Sequence, residues 1–235
     1  MQKDAMQGSR NVLDLLRDEV YKRKFRKEHP DFFDPSGTLI FCGAQGYGKT
    51  ISAVQYVVKL AHQYPKSVLC TNVAINPDMF PEGYTVLEYN GLDDLKNLNN
   101  GYAGVIYLID EIHLELNSLE SKNVDIEVMI EISQQRKQRK HIVGTTQIYF
   151  RMAKPLREQV RDIVVCRNFF DCIQFNKWID GFTAVEENGK MKADVKGRFI
   201  WFHSPKLYQS YDTFQKMRRY NKEWQGHKRE VKNDV

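Results

Sequence analysis

The stretch from residue 38 to residue 62 constrains this chain more than any other. A short apolar run, Thr38-Leu-Ile-Phe-Cys42, gives way to Gly43, Ala44, Gln45, Gly46, Tyr47, Gly48, Lys49 and Thr50. The residues that follow, Lys49–His62, place Val54, Val57, Val58 and Ala61 on one face at helical spacing. A strand, a glycine-rich turn and a helix in that order form a phosphate-binding loop. The glycines let the backbone turn tightly and aim its N–H groups at phosphate oxygens, while the helix presents its positive end. Lys49 supplies a mobile charge to β- and γ-phosphates, and Thr50 offers a hydroxyl to Mg²⁺. Gly43 to Ile51 are therefore the candidate nucleotide-binding residues, with ATP as the expected ligand and Mg²⁺ as the expected ion.

The rest of the chain supplies the frame such a loop needs. Short β-rich runs at Ser67–Thr71, Val105–Ile109, Ile142–Thr146 and Ile163–Cys166 alternate with helix-compatible stretches, Asn123–Lys140 among them. That alternation predicts an α/β fold with a mainly parallel sheet flanked by helices. The runs are continuously apolar, as strands buried on both faces are. Before the core, Val12, Leu15, Leu16 and Val20 precede Lys22, Arg23, Lys24, Arg26 and Lys27, which predicts an amphipathic N-terminal helix with a basic end in a unit 1–36. The core is expected over 37–180. A C-terminal appendage is expected over 181–235, in which Phe182–Val185 and Arg198–Phe202 form a hairpin and an aromatic, basic tail follows.

Val105–Ile109 ends in Asp110 and Glu111. Acids at the C-terminal end of a parallel strand face the ligand crevice. Asp110 is expected to hold Mg²⁺ together with Thr50, and Glu111 to orient or activate the attacking water. A GTPase switch would show Asp-x-x-Gly here, and the near match to a guanine-reading motif at Asn176-Lys177-Trp-Ile-Asp180 has one residue too many. A small-molecule kinase is disfavoured as well, because a hydrolytic glutamate lets water compete with the acceptor. The run Ile142–Thr146 ends in Thr145, Thr146 and Gln147, which places Gln147 where it can sense the γ-phosphate. Ahead of that strand lie Arg136 and Arg139, the first candidates for an arginine finger inserted by a neighbouring subunit, with Arg157 and Arg161 in reserve.

A length of 235 residues suits one domain with small appendages, and 35 basic against 30 acidic residues give a net charge of +5, a mild lean toward anionic partners. No run approaches the roughly 18 apolar residues of a membrane span, and the N-terminus lacks a signal-peptide core, so a cytoplasmic protein without membrane insertion is expected. Cys42, Cys70, Cys166 and Cys172 show no C-x-x-C spacing and read as reduced core residues.

Taken in order, the glycine-rich loop, Thr71-Asn72-Val73, Leu-Ile-Asp110-Glu111, the Gln135–His141 basic stretch leading to Thr145-Thr-Gln147, and Arg157-Glu-Gln-Val-Arg161 resemble the FtsK/HerA superfamily. The series is most similar to phage ATPases of the DNA-packaging and zonula occludens toxin-like kinds, over about residues 37–180, and Ser210–Thr213 looks more weakly like the tail of such proteins. The resemblance implies a RecA/FtsK-like core in a homo-oligomeric ring, pentamer or hexamer, that spends ATP to move double-stranded DNA. It also implies the roles given above to Lys49, Thr50, Asp110, Glu111, Gln147 and an arginine near 136–139. Membrane-anchored members carry a spanning helix that this chain lacks, which points toward a motor docked on a capsid portal. The alternative the resemblance leaves open is an assembly or secretion ATPase acting on protein or virion components.

Overall fold

The computed structural model describes residues 32–116, 132–152 and 154–208, with 17, 20–21, 23–25 and 27–29 before them. Val12, Leu15, Leu16, Lys22 and Arg26 of the expected N-terminal helix lie outside that set, as do 123–131 of the expected helical stretch Asn123–Lys140 and the tail from residue 209. Of that helix, the described positions up to Glu28 are helical.

Ten strands are described: β1 (Gly37–Cys42), β2 (Val68–Thr71), β3 (Thr85–Glu88), β4 (Val105–Ile109), β5 (Lys140–Thr146), β6 (Val160–Phe169), β7 (Ile173–Asp180), β8 (Val185–Glu187), β9 (Lys190–Lys192) and β10 (Val195–Phe202). Eight of them form one sheet in the order β3-β2-β4-β5-β1-β6-β7-β10. The six strands from β3 to β6 are mutually parallel, and β7 and β10 continue the sheet antiparallel. The mainly parallel α/β sheet anticipated from the alternating runs is thus present.

Period-two alternation along the central strands divides the core into two layers. Leu39 and Phe41 of β1, Ile106 and Leu108 of β4 and Val143 of β5 pack against Ala53, Val54 and Val57 of helix α1 (Lys49–Gln63). Ile40, Tyr107, Ile109 and Ile142 face the other way, onto Ile112, Tyr149, Met152 and Leu156. Because the strands are parallel, the ends of β1, β2, β4 and β5 meet at one edge of the sheet, where α1 begins.

At the opposite edge His141 fastens β5 to its neighbours. Its Nδ1 donates to the Gly37 carbonyl at 2.9 Å, and its Nε2 accepts from the Tyr56 hydroxyl of α1 at 3.0 Å. Burial pushes its pKa down from 6.5 to about 4. A folded-state value below the unfolded one means that the unfolded chain binds the extra proton between those limits. Stability is therefore full above pH 6.5 and falls as pH drops toward 4. Urea unfolding should show the wild type losing about 3 kcal/mol from this group over that window, and His141→Gln should remove that part of the slope.

Three expectations change. Arg198–Phe202 does not face Phe182–Val185. It lies in β10 and pairs with β7, from Arg198 opposite Lys177 to Phe202 opposite Ile173, so the main sheet continues past residue 180. The hairpin that does form is β8–β9, closed by Asn188 and Gly189, both at positive φ, as a tight hairpin turn requires. Finally, Cys172 is exposed in the turn between β6 and β7, whereas Cys42, Cys70 and Cys166 are buried free thiols.

Candidate active site

The loop from Gly43 to Gly48 leaves the end of β1 and enters α1 directly. Gly48 caps the helix at φ 73°, and a Cβ there would stand 2.0 Å from the Gln174 Oε1 atom, so both backbone conformation and space require glycine. Lys49 is 7% exposed, and its Nζ curls back to donate to the Ala44 carbonyl at 3.1 Å. The ammonium is thus held over the mouth of the loop and within reach of any anion seated in it.

Sixty residues later in the chain, Asp110 is brought against that helix. Its Oδ1 accepts from the Thr50 hydroxyl at 3.1 Å and from the Thr145 hydroxyl of β5. β5 lies between β1 and β4 in the sheet, which is why its end can touch both the phosphate loop and the acidic turn. Asn72, just past β2, grips the peptide on either side of Asp110. Its Oδ1 accepts from the Asp110 N–H at 2.8 Å, and its Nδ2 donates to the Asp110 carbonyl at 3.1 Å. A carboxylate and two hydroxyls converging on one point are hard oxygen donors, the kind Mg²⁺ takes when phosphates and waters complete its shell. Thr50 and Asp110 therefore fit the ion expected of them.

Glu111 follows in the left-handed region, with φ 51°. A non-glycine residue held there stores of order 1 kcal/mol, and such strain gathers at functional positions. Its N–H donates to Thr145 Oγ1 at 2.9 Å, and its Oε2 lies 3.4 Å from His113 Nδ1, which also meets the Thr146 hydroxyl at 3.2 Å. Thr145 is fully buried and serves both acids at once, giving its proton to Asp110 and accepting from Glu111. Thr145→Val keeps the shape and removes both bonds. It should lower kcat about ten- to a hundredfold, as loss of the partner that holds a metal-binding carboxylate does, with a smaller change in KM for ATP, measured by steady-state phosphate release.

Gln147, expected as the sensor, follows β5 at this same edge with its side chain exposed, and the bonds at the strand end are made by Thr145 and Thr146. The arginines lie elsewhere. Arg139 precedes β5, whose 7 residues run roughly 20 Å to the acidic edge at about 3.3 Å each. Its guanidinium sits 3.8 Å over the Phe32 ring and donates to the Phe33 carbonyl at 3.2 Å. Arg161, beside Gly37 at that same far edge, pairs with Asp162 at 3.4 Å, and Arg157 lies 5.6 Å from the Phe150 ring just before β6. For Arg136 only the backbone is described. The heads of Arg139 and Arg161 thus lie at the edge of the sheet away from the phosphate loop of their own chain.

No family model matches this chain, and no curated protein is a significant match. Among solved structures the chain is similar to the N-terminal domain of zonular occludens toxin from Neisseria meningitidis, at 15% identity and a TM-score of 0.53, covering 76% of this chain and 100% of that one. It is also similar to B204, the DNA-packaging ATPase of Sulfolobus turreted icosahedral virus, at 12% identity and a TM-score of 0.48, over 73% and 98% of the two chains. At 15% identity, what the chain shares with the toxin domain is the fold. With the glycine-rich loop between β1 and α1 and the acids at the end of β4, that fold is the α/β fold of P-loop NTPases.

Proposed function

We infer that the chain is an ATP-hydrolysing motor subunit that works as a homo-oligomeric ring, pentamer or hexamer, and translocates double-stranded DNA, as in packaging a viral genome. The observation that carries the hydrolytic part is the convergence of Thr50 and Thr145 on Asp110, with the Glu111 peptide held by the same Thr145 and Lys49 poised over the loop. The loop N–H groups and Lys49 bind and orient the phosphates. Mg²⁺, held by Thr50 and Asp110, would neutralise charge on the β- and γ-phosphate oxygens. Glu111 orients the attacking water and takes its proton, and Thr145 keeps the carboxylates of Asp110 and Glu111 in register for these tasks.

Supporting the DNA part are the motif series from Thr71-Asn72 to Thr145-Thr-Gln147, the excess of basic residues, and exposed cations such as Arg151, Arg167 and Arg198. Duplex held through its phosphates gives salt-dependent binding with little sequence preference. Because the Arg139 and Arg161 heads lie at the edge away from their own loop, a finger from either would have to come from the neighbouring subunit. Arg136 leads the candidates, since Arg139 would first have to leave Phe32 and Phe33. The capsid portal is the candidate docking partner.

A second reading, an assembly or secretion ATPase acting on protein or virion components, is favoured by Phe199, Ile200 and Phe202. They stand 54–72% exposed on the edge strand β10, a surface suited to protein rather than to a polyanion. Steady-state ATP hydrolysis with and without double-stranded DNA, with Lys49→Ala as the blank, separates the two. Stimulation by DNA that fades as salt rises supports the DNA motor, whereas hydrolysis indifferent to DNA favours the assembly ATPase.

A further inference from the structure

The antiparallel strand β7 carries two buried polar side chains that the site described above does not use. Gln174 is fully buried and Asn176 is 8% exposed, and a polar group in such a place must be paired to avoid a desolvation cost. Their partners lie at the nucleotide edge. Gln174 Nε2 donates to the Tyr47 carbonyl of the phosphate loop at 3.1 Å and to Asn176 Oδ1 at 2.9 Å. Asn176 in turn exchanges hydrogen bonds with Ser52 in the first turn of α1. A carbonyl oxygen can only accept, so the Gln174 atom facing Tyr47 is its NH₂, which leaves Oε1 as the acceptor. His203 Nε2, just past β10, meets that oxygen at 3.2 Å and must therefore be the protonated ring nitrogen. His203 Nδ1 meets the Tyr208 hydroxyl at 2.7 Å.

We propose that Gln174 is a positioning residue for the phosphate loop, fixing the Tyr47–Gly48 peptide from outside the loop, and that His203 holds the Gln174 amide in the orientation this requires. The proposal rests on the nucleotide-binding reading of the loop. In a planar trans peptide the C=O and the following N–H point in opposite directions. Tying the Tyr47 carbonyl to Gln174 therefore turns the Gly48 N–H away from β7, toward the inside of the loop, where a phosphate oxygen would sit. Contact is close on the same side, since the Gln174 amide occupies the space beside the Gly48 Cα. Without the amide donor the Tyr47 peptide is free to rotate, and binding must re-order it at the expense of affinity.

The test measures the Kd of a non-hydrolysable ATP analogue, and KM and kcat for ATP, in the full chain and its Gln174→Met and His203→Phe variants, with Lys49→Ala as the reference for loss of phosphate binding. Gln174→Met should raise Kd and KM about tenfold, the effect of one lost hydrogen bond to a charged ligand. The number of sites titrated at saturation and kcat should stay near wild type. His203→Phe should shift Kd in the same direction by about threefold, a smaller effect because it acts through Gln174. A purely structural role would instead lower the titratable fraction and kcat with KM unchanged, and that result overturns the proposal. Should Gln174→Met fail to fold, His203→Phe decides alone, and an unchanged Kd there refutes the coupling. If the wild type binds no better than Lys49→Ala, the failure lies in the nucleotide-binding reading. A wild type that binds while both variants match it overturns only the role of Gln174.

Discussion

Glu111→Gln is expected to hold ATP as the wild type does and to hydrolyse it about a thousandfold more slowly, within the range that a positioned acid–base group contributes. The substitution removes charge and basicity while keeping the length of the side chain. It also leaves the backbone N–H of residue 111 free to keep its 2.9 Å bond to Thr145, so the left-handed turn after β4 survives. Equilibrium binding of ATP, followed by single-turnover hydrolysis, separates the two effects. A chain that used nucleotide only as a binding switch would keep its function in this variant. The loss of turnover with retained binding therefore marks hydrolysis, rather than occupancy, as the working step.

Lys49→Ala has a different signature. The ammonium now bonds the loop's own Ala44 carbonyl and would move to the β- and γ-phosphates. Its loss should reduce kcat/KM for ATP by about two to three orders of magnitude, with weakened binding of ATP and a smaller effect on AMP, which carries no β- or γ-phosphate. Lys49 lies among Ile51, Ala53 and Val54 at the start of a well-packed helix, so the melting temperature should change little. Comparative titration with ATP and AMP checks this. Equal weakening of both nucleotides would mean that the lysine does not reach the distal phosphates.

What the sequence made legible, and what it did not, has a physical pattern. β1 and β4 are buried on both faces, so they read as largely apolar runs, and the loop and acids at their ends could be located from spacing alone. β3 is mostly exposed and β7 alternates polar and apolar residues, so neither produces such a run. Gln174 and Asn176 of β7 are buried while bonding the phosphate loop and α1, a pairing visible only once the strands are adjacent. Likewise, Arg139 sits next to the strand that carries Thr145 yet before its N-terminal end, so its nearness to that strand in sequence is not nearness to the acidic edge in space. Thr145 was within the stretch singled out, but the division of labour between it and the exposed Gln147 depends on which side of β5 faces Asp110.

The central claim is that the acids after β4 and the loop after β1 make one hydrolytic site. Phosphate release from ATP by the purified chain, with Mg²⁺ present and then chelated, and with Lys49→Ala and Glu111→Gln alongside, tests it most directly. The account predicts Mg²⁺-dependent release that both variants lose, with ATP binding kept in Glu111→Gln alone. Release that persists at the wild-type rate in either variant, or that is indifferent to Mg²⁺, would contradict it.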